Sequence, residues 1–146
     1  YNINNWFIVY GTLLGIVRNN SCINNDDDID IIIDKKESNK LHKLIKKKYK
    51  YVVGKKEYHT NFIKINLGVG LNNIIVDWYV ADKKDNNYND TWDKIVWSNV
   101  YPFKKKKWNN VILNLPNNYK KKLENMYGND WKIPRQWKGP KNIKVL

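Results

Sequence analysis

Asp26-Asp27-Asp28-Ile29-Asp30-Ile31-Ile32-Ile33 sets four carboxylates directly against an apolar run, in a chain that is otherwise strongly basic. The β-branched residues predict a strand. Alternate side chains of a strand share a face, so Asp28 and Asp30 point the same way about 6.6 Å apart while Ile29, Ile31 and Ile33 face the core. At an effective dielectric of ~20 their repulsion is on the order of 2.5 kcal/mol. A marginally stable domain rarely carries that without a compensating cation, so the stretch predicts a metal site. Oxygen ligands of this kind suit Mg²⁺ or Mn²⁺.

Upstream, Trp6 to Tyr10 reads as a strand that stops at Gly11-Thr12. Leu13, Leu14, Ile16 and Val17 then fit one or two turns of helix, with Thr12 as its cap and with Gly11 and Gly15 allowing close backbone approach. A strand entering a glycine turn and a helix start presents N–H groups that attract phosphate. Arg18 closes the short helix, and residues 19–25 form a polar loop before the acidic strand.

Downstream, Ser38 caps an amphipathic helix reaching about Lys48, on which His42 is a solvated surface residue. Residues 49–53 and 58–67 read as a strand pair, with Phe62, Lys64 and Asn66 on one face of the second strand. Ile74 to Val80 is a further strand interrupted by Asp77, and a lone aspartate in an apolar run is costly unless it is paired or bound to something. Residues 82–93 read as a polar loop, Lys104 to Lys107 as a solvated charge run, and Val111 to Leu113 as a short strand. Pro116-Asn117-Asn118 leads a helix from Tyr119 to Tyr127 that Gly128 ends. The proline-rich tail from Asp130 wraps the surface.

The 146 residues, 42% hydrophobic and 14% aromatic, suffice for one domain around one core, and neither a repeat nor a boundary interrupts them. The formal charge of +13 would ordinarily suggest nucleic acid. That charge is nearly all lysine, Arg18 and Arg135 being the arginines, and comes with abundant Asn and Ile. An AT-rich coding sequence produces that excess, so nucleic acid is not the expected partner. The lone Cys22 excludes an intrachain disulfide. No run approaches the ~20 apolar residues that span a bilayer, and no signal-like segment opens the chain. These features leave localisation open and favour a cytoplasmic setting over others.

Strand, Gly-Thr turn, short helix, Arg, Asp-x-Asp strand, helix, strand pair and a strand with one more Asp resemble, in that order, the nucleotidyltransferase fold: an α/β (α+β) domain with a mixed central sheet flanked by helices. GTLLGIVRNNSCINNDDDIDIII resembles the signature of the LicD family, which includes bacterial phosphocholine transferases and, more distantly, fukutin and fukutin-related protein. PFKKKKWNNVILNLPNNYKKKLENMYGNDWKIP is similar to that family's closing segment, where an Asn-rich turn leads a helix ending Tyr-Gly-x-x-Trp. Many relatives carry a Pro-Trp pair before the aspartates where this chain has Asn24-Asn25. The helix that usually precedes the first strand is missing, so residues 1–146 read as a single LicD-like domain in trimmed form.

The resemblance implies transfer of a phosphorylated alcohol, such as phosphocholine or ribitol phosphate, from a CDP-linked donor to a glycan or glycoconjugate hydroxyl, with release of CMP. It also implies residue roles. Asp28, Asp30 and Asp77 would be the catalytic and metal-binding carboxylates, Asp77 either as third ligand or as base. The backbone at Gly11 and Thr12 would cradle a phosphate, with Arg18 as bidentate partner and Lys64 as a second cation. Asp26 and Asp27 would contact the metal or fix the loop by capping or by pairing with Arg18 or a lysine.

Other readings compete. An EF-hand counted from Asp26 places Asp28, Asp30 and Glu37 suitably but puts Ile31 where a glycine is needed. A nucleotidyltransferase adding a nucleotide to an acceptor would use the same carboxylates, and an inactive polyanion-binding relative would not need them.

Overall fold

A computed structural model describes residues 2–26, 28–48, 62–69, 72–90 and 95–135, the side chains of 45, 46, 48, 62–69 and 72–74 excepted. The elements are β1 (Trp6–Ile8), α1 (Tyr10–Asn19), β2 (Asp28–Asp34), α2 (Lys35–Lys48), β3 (Phe62–Val69), β4 (Asn72–Lys84), β5 (Asn87–Asp90), β6 (Val96–Trp97), β7 (Lys104–Trp108), β8 (Val111–Leu115) and α3 (Tyr119–Tyr127). The acidic strand therefore forms where the sequence places it.

The main sheet is mixed and runs β1-β2-β4-β5-β6, with β3 also paired to β4. β1 is antiparallel to β2, and β2 is parallel to β4. A parallel partner is what the crossover through α2 permits. Helices flank this mixed sheet, and the α/β expectation holds. β7 and β8 make a separate antiparallel pair, tied to the sheet where Asn114 Nδ2 donates to the Trp6 carbonyl at 2.8 Å.

Both faces of β2 are covered. Ile33 packs with Trp78 and Val80 on one side, while Ile32 packs with Phe7, Val9 and Tyr88 on the other. Ile32 thus shares the aspartate face and is fully buried there. Alternation alone assigns that face to water and metal. A strand with neighbours on both edges and cover on both faces is apolar through its middle, and its acids fall toward its two ends.

Several boundaries move. The first strand ends at Ile8 and α1 begins at Tyr10, with Val9 as the extended N-cap, so Gly11 and Thr12 lie inside the first helical turn and Thr12 is not the cap. α2 begins at Lys35 rather than Ser38, because Asp34 Oδ1 accepts the Lys36 N–H at 3.2 Å and supplies the capping acceptor one turn earlier. The expected loop from Asp82 is instead a hairpin: β4 continues to Lys84 and returns as β5 through Asp85, whose φ is +52°. The lysine run is strand β7. The helix Tyr119–Tyr127 and its stop at Gly128, with φ +91°, stand as expected. The strand expected over 49–53, the turn after it, Asp27, Trp92 and the tail beyond Arg135 lie outside the described residues.

Candidate active site

The pairing of β2 with β4 sets Asp30 opposite Asp77. Asp28, two residues before Asp30, shares their face. One carboxylate oxygen from each of the three lies within 4.8 Å of the others. Asp30 and Asp77 are 7% and 6% exposed, and Asp28 is half-buried. The sequence thus brings together the three acids it singles out. The calcium-loop reading fails, since Asp28 and Asp30 belong to a strand.

The backbone at Asp30 is strapped to the start of α1. Its N–H donates to Thr12 Oγ1 at 2.8 Å, and its carbonyl accepts the Val9 N–H at 3.2 Å. Thr12 therefore spends its hydroxyl on holding the strand. The first-turn N–H groups of Gly11 and Thr12 have no acceptor within the helix, as at any helix start, and they carry its positive dipole end.

Gly11 and Gly15 stand one turn apart on α1, and the loop to β2 crosses them. A Cβ at position 15 would meet the Ser21 carbonyl at 2.6 Å and the Ile23 nitrogen at 2.9 Å. At position 11 it would meet Asp26 Oδ2 at 2.8 Å. The glycines let the loop lie directly on the helix, which delivers Asp26 to the helix N-terminus. The Asp26 carboxylate thus stands beside Gly11, next to the helix start where the sequence expects phosphate.

Charge accumulates here. Burial and the neighbouring Asp28, Asp77 and Asp26 carboxylates push the Asp30 carboxyl up to about 8, opposed by the Tyr79 hydroxyl, which donates to Asp30 Oδ1 at 3.4 Å. Tyr79 is held edge-on by Tyr10 with ring centres 5.1 Å apart. Burial, then Asp30 and Asp26, raise the Tyr127 phenol well above the usual range, and Arg18 opposes them. Tyr127, from the closing Tyr-Gly-x-x-Trp segment, thus stands in the field of the acidic segment, so the two separated sequence motifs converge. Arg18 lies in the last turn of α1, and its buried Nε has no hydrogen-bond partner. The register pairs Lys64 with Asp77 across β3 and β4, and the Lys64 side chain lies outside the described residues.

Tyr79 and Tyr127 are the residues that sequence reasoning misses. Tyr79 had a signal, being two residues from Asp77 on the same strand face. Tyr127 had none beyond its place in a motif.

Three clustered oxygen donors, two of them buried, fit a hard divalent cation. Among the described residues no helix is long and apolar enough to cross a membrane, and Cys22 is a half-buried free thiol. No curated protein matches the chain. The family model for the LicD/FKTN/FKRP nucleotidyltransferase domain matches residues 3–140, and the chain belongs to that family.

Proposed function

We propose that the protein transfers a phosphorylated alcohol, such as phosphocholine or ribitol phosphate, from a CDP-linked donor to a glycan hydroxyl and releases CMP. Family membership supports a phosphotransferase-like, glycan-modifying transferase in general. The finer reading rests chiefly on one observation, the convergence of Asp28, Asp30 and Asp77 within 4.8 Å.

Asp28, Asp30 and Asp77 would hold Mg²⁺ or Mn²⁺, which would neutralise charge on the phosphate oxygens. Tyr79 orients the Asp30 carboxylate through its hydroxyl. The N–H groups at Gly11 and Thr12 receive a donor phosphate at the positive end of α1. Arg18 and Lys64 supply further cations for the diphosphate, Arg18 having an unspent N–H. Asp77 is either the third member of the carboxylate set or the base that accepts the proton of the attacking hydroxyl.

Incubation with CDP-choline and with CDP-ribitol together with a panel of glycan acceptors whose hydroxyls take the phosphorylated alcohol, with and without Mg²⁺, tests this. The expected product is CMP, formed only with metal. Absence of nucleotide release from both donors, or release unaffected by chelator, overturns the proposal. Pyrophosphate released from a nucleoside triphosphate would point to nucleotidyl transfer instead.

A further inference from the structure

The β7–β8 hairpin presents a surface that the site above does not use. β7 is Lys104-Lys105-Lys106-Lys107-Trp108, with three of its lysines exposed and Lys106 half-buried. Across the Asn109-Asn110 turn, Val111 and Ile112 are 48% and 55% exposed. The register sets Lys107 beside Ile112 and Trp108 beside Val111, so cationic and apolar side chains alternate around one tip. Behind it opens a pocket of about 490 Å³, walled by Ile16, Ile29, Trp108 and Leu113 and reaching Val111 and Ile112. Ile29 belongs to the face of β2 opposite the aspartates.

Taken singly, a lysine run is a solvated face and an exposed aliphatic residue is ordinary. Together they discriminate among anionic partners. A nucleic acid would use the lysines but gain nothing from Val111 and Ile112. An anionic bilayer uses both: lysine heads stay at the phosphates while their stems and neighbouring aliphatic groups enter the acyl boundary. Trp108 ties the hairpin down, its ring packing against the core and its Nε1 donating to the Asn20 carbonyl at 3.0 Å. The platform is fixed rather than loose, because Leu115 is buried in the core and Asn114 bonds to β1.

We propose that the β7–β8 hairpin docks this protein on an anionic lipid surface, with Val111 and Ile112 entering the acyl boundary, the pocket behind them receiving a lipid chain, and Lys104, Lys106 and Lys107 meeting headgroup phosphates, while Lys105 is held by Asn114 Oδ1. Co-sedimentation of the full chain with vesicles of equal parts phosphatidylglycerol and phosphatidylcholine, against phosphatidylcholine alone, tests it. The expected result is pelleting with the mixed vesicles that weakens as salt rises. Replacing Lys104, Lys106 and Lys107 by glutamine should lower the affinity roughly a hundredfold. Val111→Ser with Ile112→Ser should lower it about tenfold with an unchanged circular dichroism spectrum, since both side chains are exposed. Equal pelleting with neutral vesicles, no pelleting at all, or full vesicle binding by either variant overturns the proposal. So does RNA binding that needs the lysines, survives the serine substitutions and comes without vesicle binding, which would assign the face to nucleic acid.

Discussion

The two ends of β2 both bury acids, and they treat them in opposite ways. At the far end Glu37 is 8% exposed and saturated: Oε2 accepts the Asn4 and Asn5 N–H groups at 2.8 and 2.7 Å, and Oε1 accepts Asn5 Nδ2 at 2.8 Å. Asp34, also 8% exposed, accepts from Lys36. At the near end Asp30 and Asp77 are buried as deeply, but they face each other and Asp28. Burial is the same at both ends. What differs is the sign of the neighbours: backbone and amide donors close one end, and carboxylate against carboxylate leaves the other in want of a cation.

The largest expected effect comes from removing acids at the near end. Asp30→Ala or Asp77→Asn should reduce turnover by more than the roughly 10–100-fold that outer-shell partners of a metal typically cost. Each should leave metal-free stability unchanged or raised, because repulsion is relieved. Turnover assays beside urea melts check both halves, and near wild-type turnover in either variant would break the comparison. Glu37→Ala should do the reverse. Three donors lose a charged acceptor, so stability should fall by about 3 kcal/mol while activity per folded molecule persists. A Glu37→Ala protein with normal stability would show that donors do not make the far end structural.

The pair Asp28 and Asp30 was legible because strand periodicity is local, and Asp77 because a charge inside Ile-Ile-Val…Trp-Tyr-Val is conspicuous. The helix Tyr119–Tyr127 was legible because proline and glycine punctuate it. What stayed hidden depends on distant pairing. No local rule places Tyr127 near Asp30, 97 residues earlier, or tells that the glycine at position 11 serves Asp26. Thr12 has a capping residue's chemistry, and only the docking of α1 on β2 turns its hydroxyl toward Asp30. The strand β7 was masked by four lysines, which are poor strand formers and acquire that conformation from pairing with β8.

pH sharpens the contrast between the ends. The Asp30 carboxyl, ordinarily near 3.8, is pushed up to about 8 by burial and by Asp28, Asp77 and Asp26. Between those values the folded protein holds a proton that the unfolded chain has lost, so stability is greatest at low pH and falls as pH rises through the window, by at most about 1.4 kcal/mol per pH unit. Urea midpoints of metal-free protein from pH 4 to 8 should decline, Mg²⁺ should flatten the decline, and Asp30→Asn should reduce it. A rising profile would mean that the carboxylates are already compensated.

The smallest effect concerns a buried cation rather than buried anions. Lys122 on α3 is fully buried, its Nζ without a hydrogen-bond partner and 5.3 Å above the Trp97 ring, and desolvation pushes it down from 10.5 to about 8. Between pH 8 and 10.5 the unfolded chain binds the proton more strongly, so this group makes stability rise with pH, the opposite slope to Asp30. Attraction to the indole face offsets part of the desolvation cost. Lys122→Met keeps the length of the side chain and removes the charge, so it should stabilise the protein at neutral pH by about 1 kcal/mol and abolish the alkaline rise, with turnover unchanged. Urea melts at pH 7 and pH 10 measure both. A destabilised variant with normal turnover would mean that the Trp97 contact outweighs desolvation. Lost turnover in a stable variant would place Lys122 with the near-end aspartates, as a buried charge retained for chemistry.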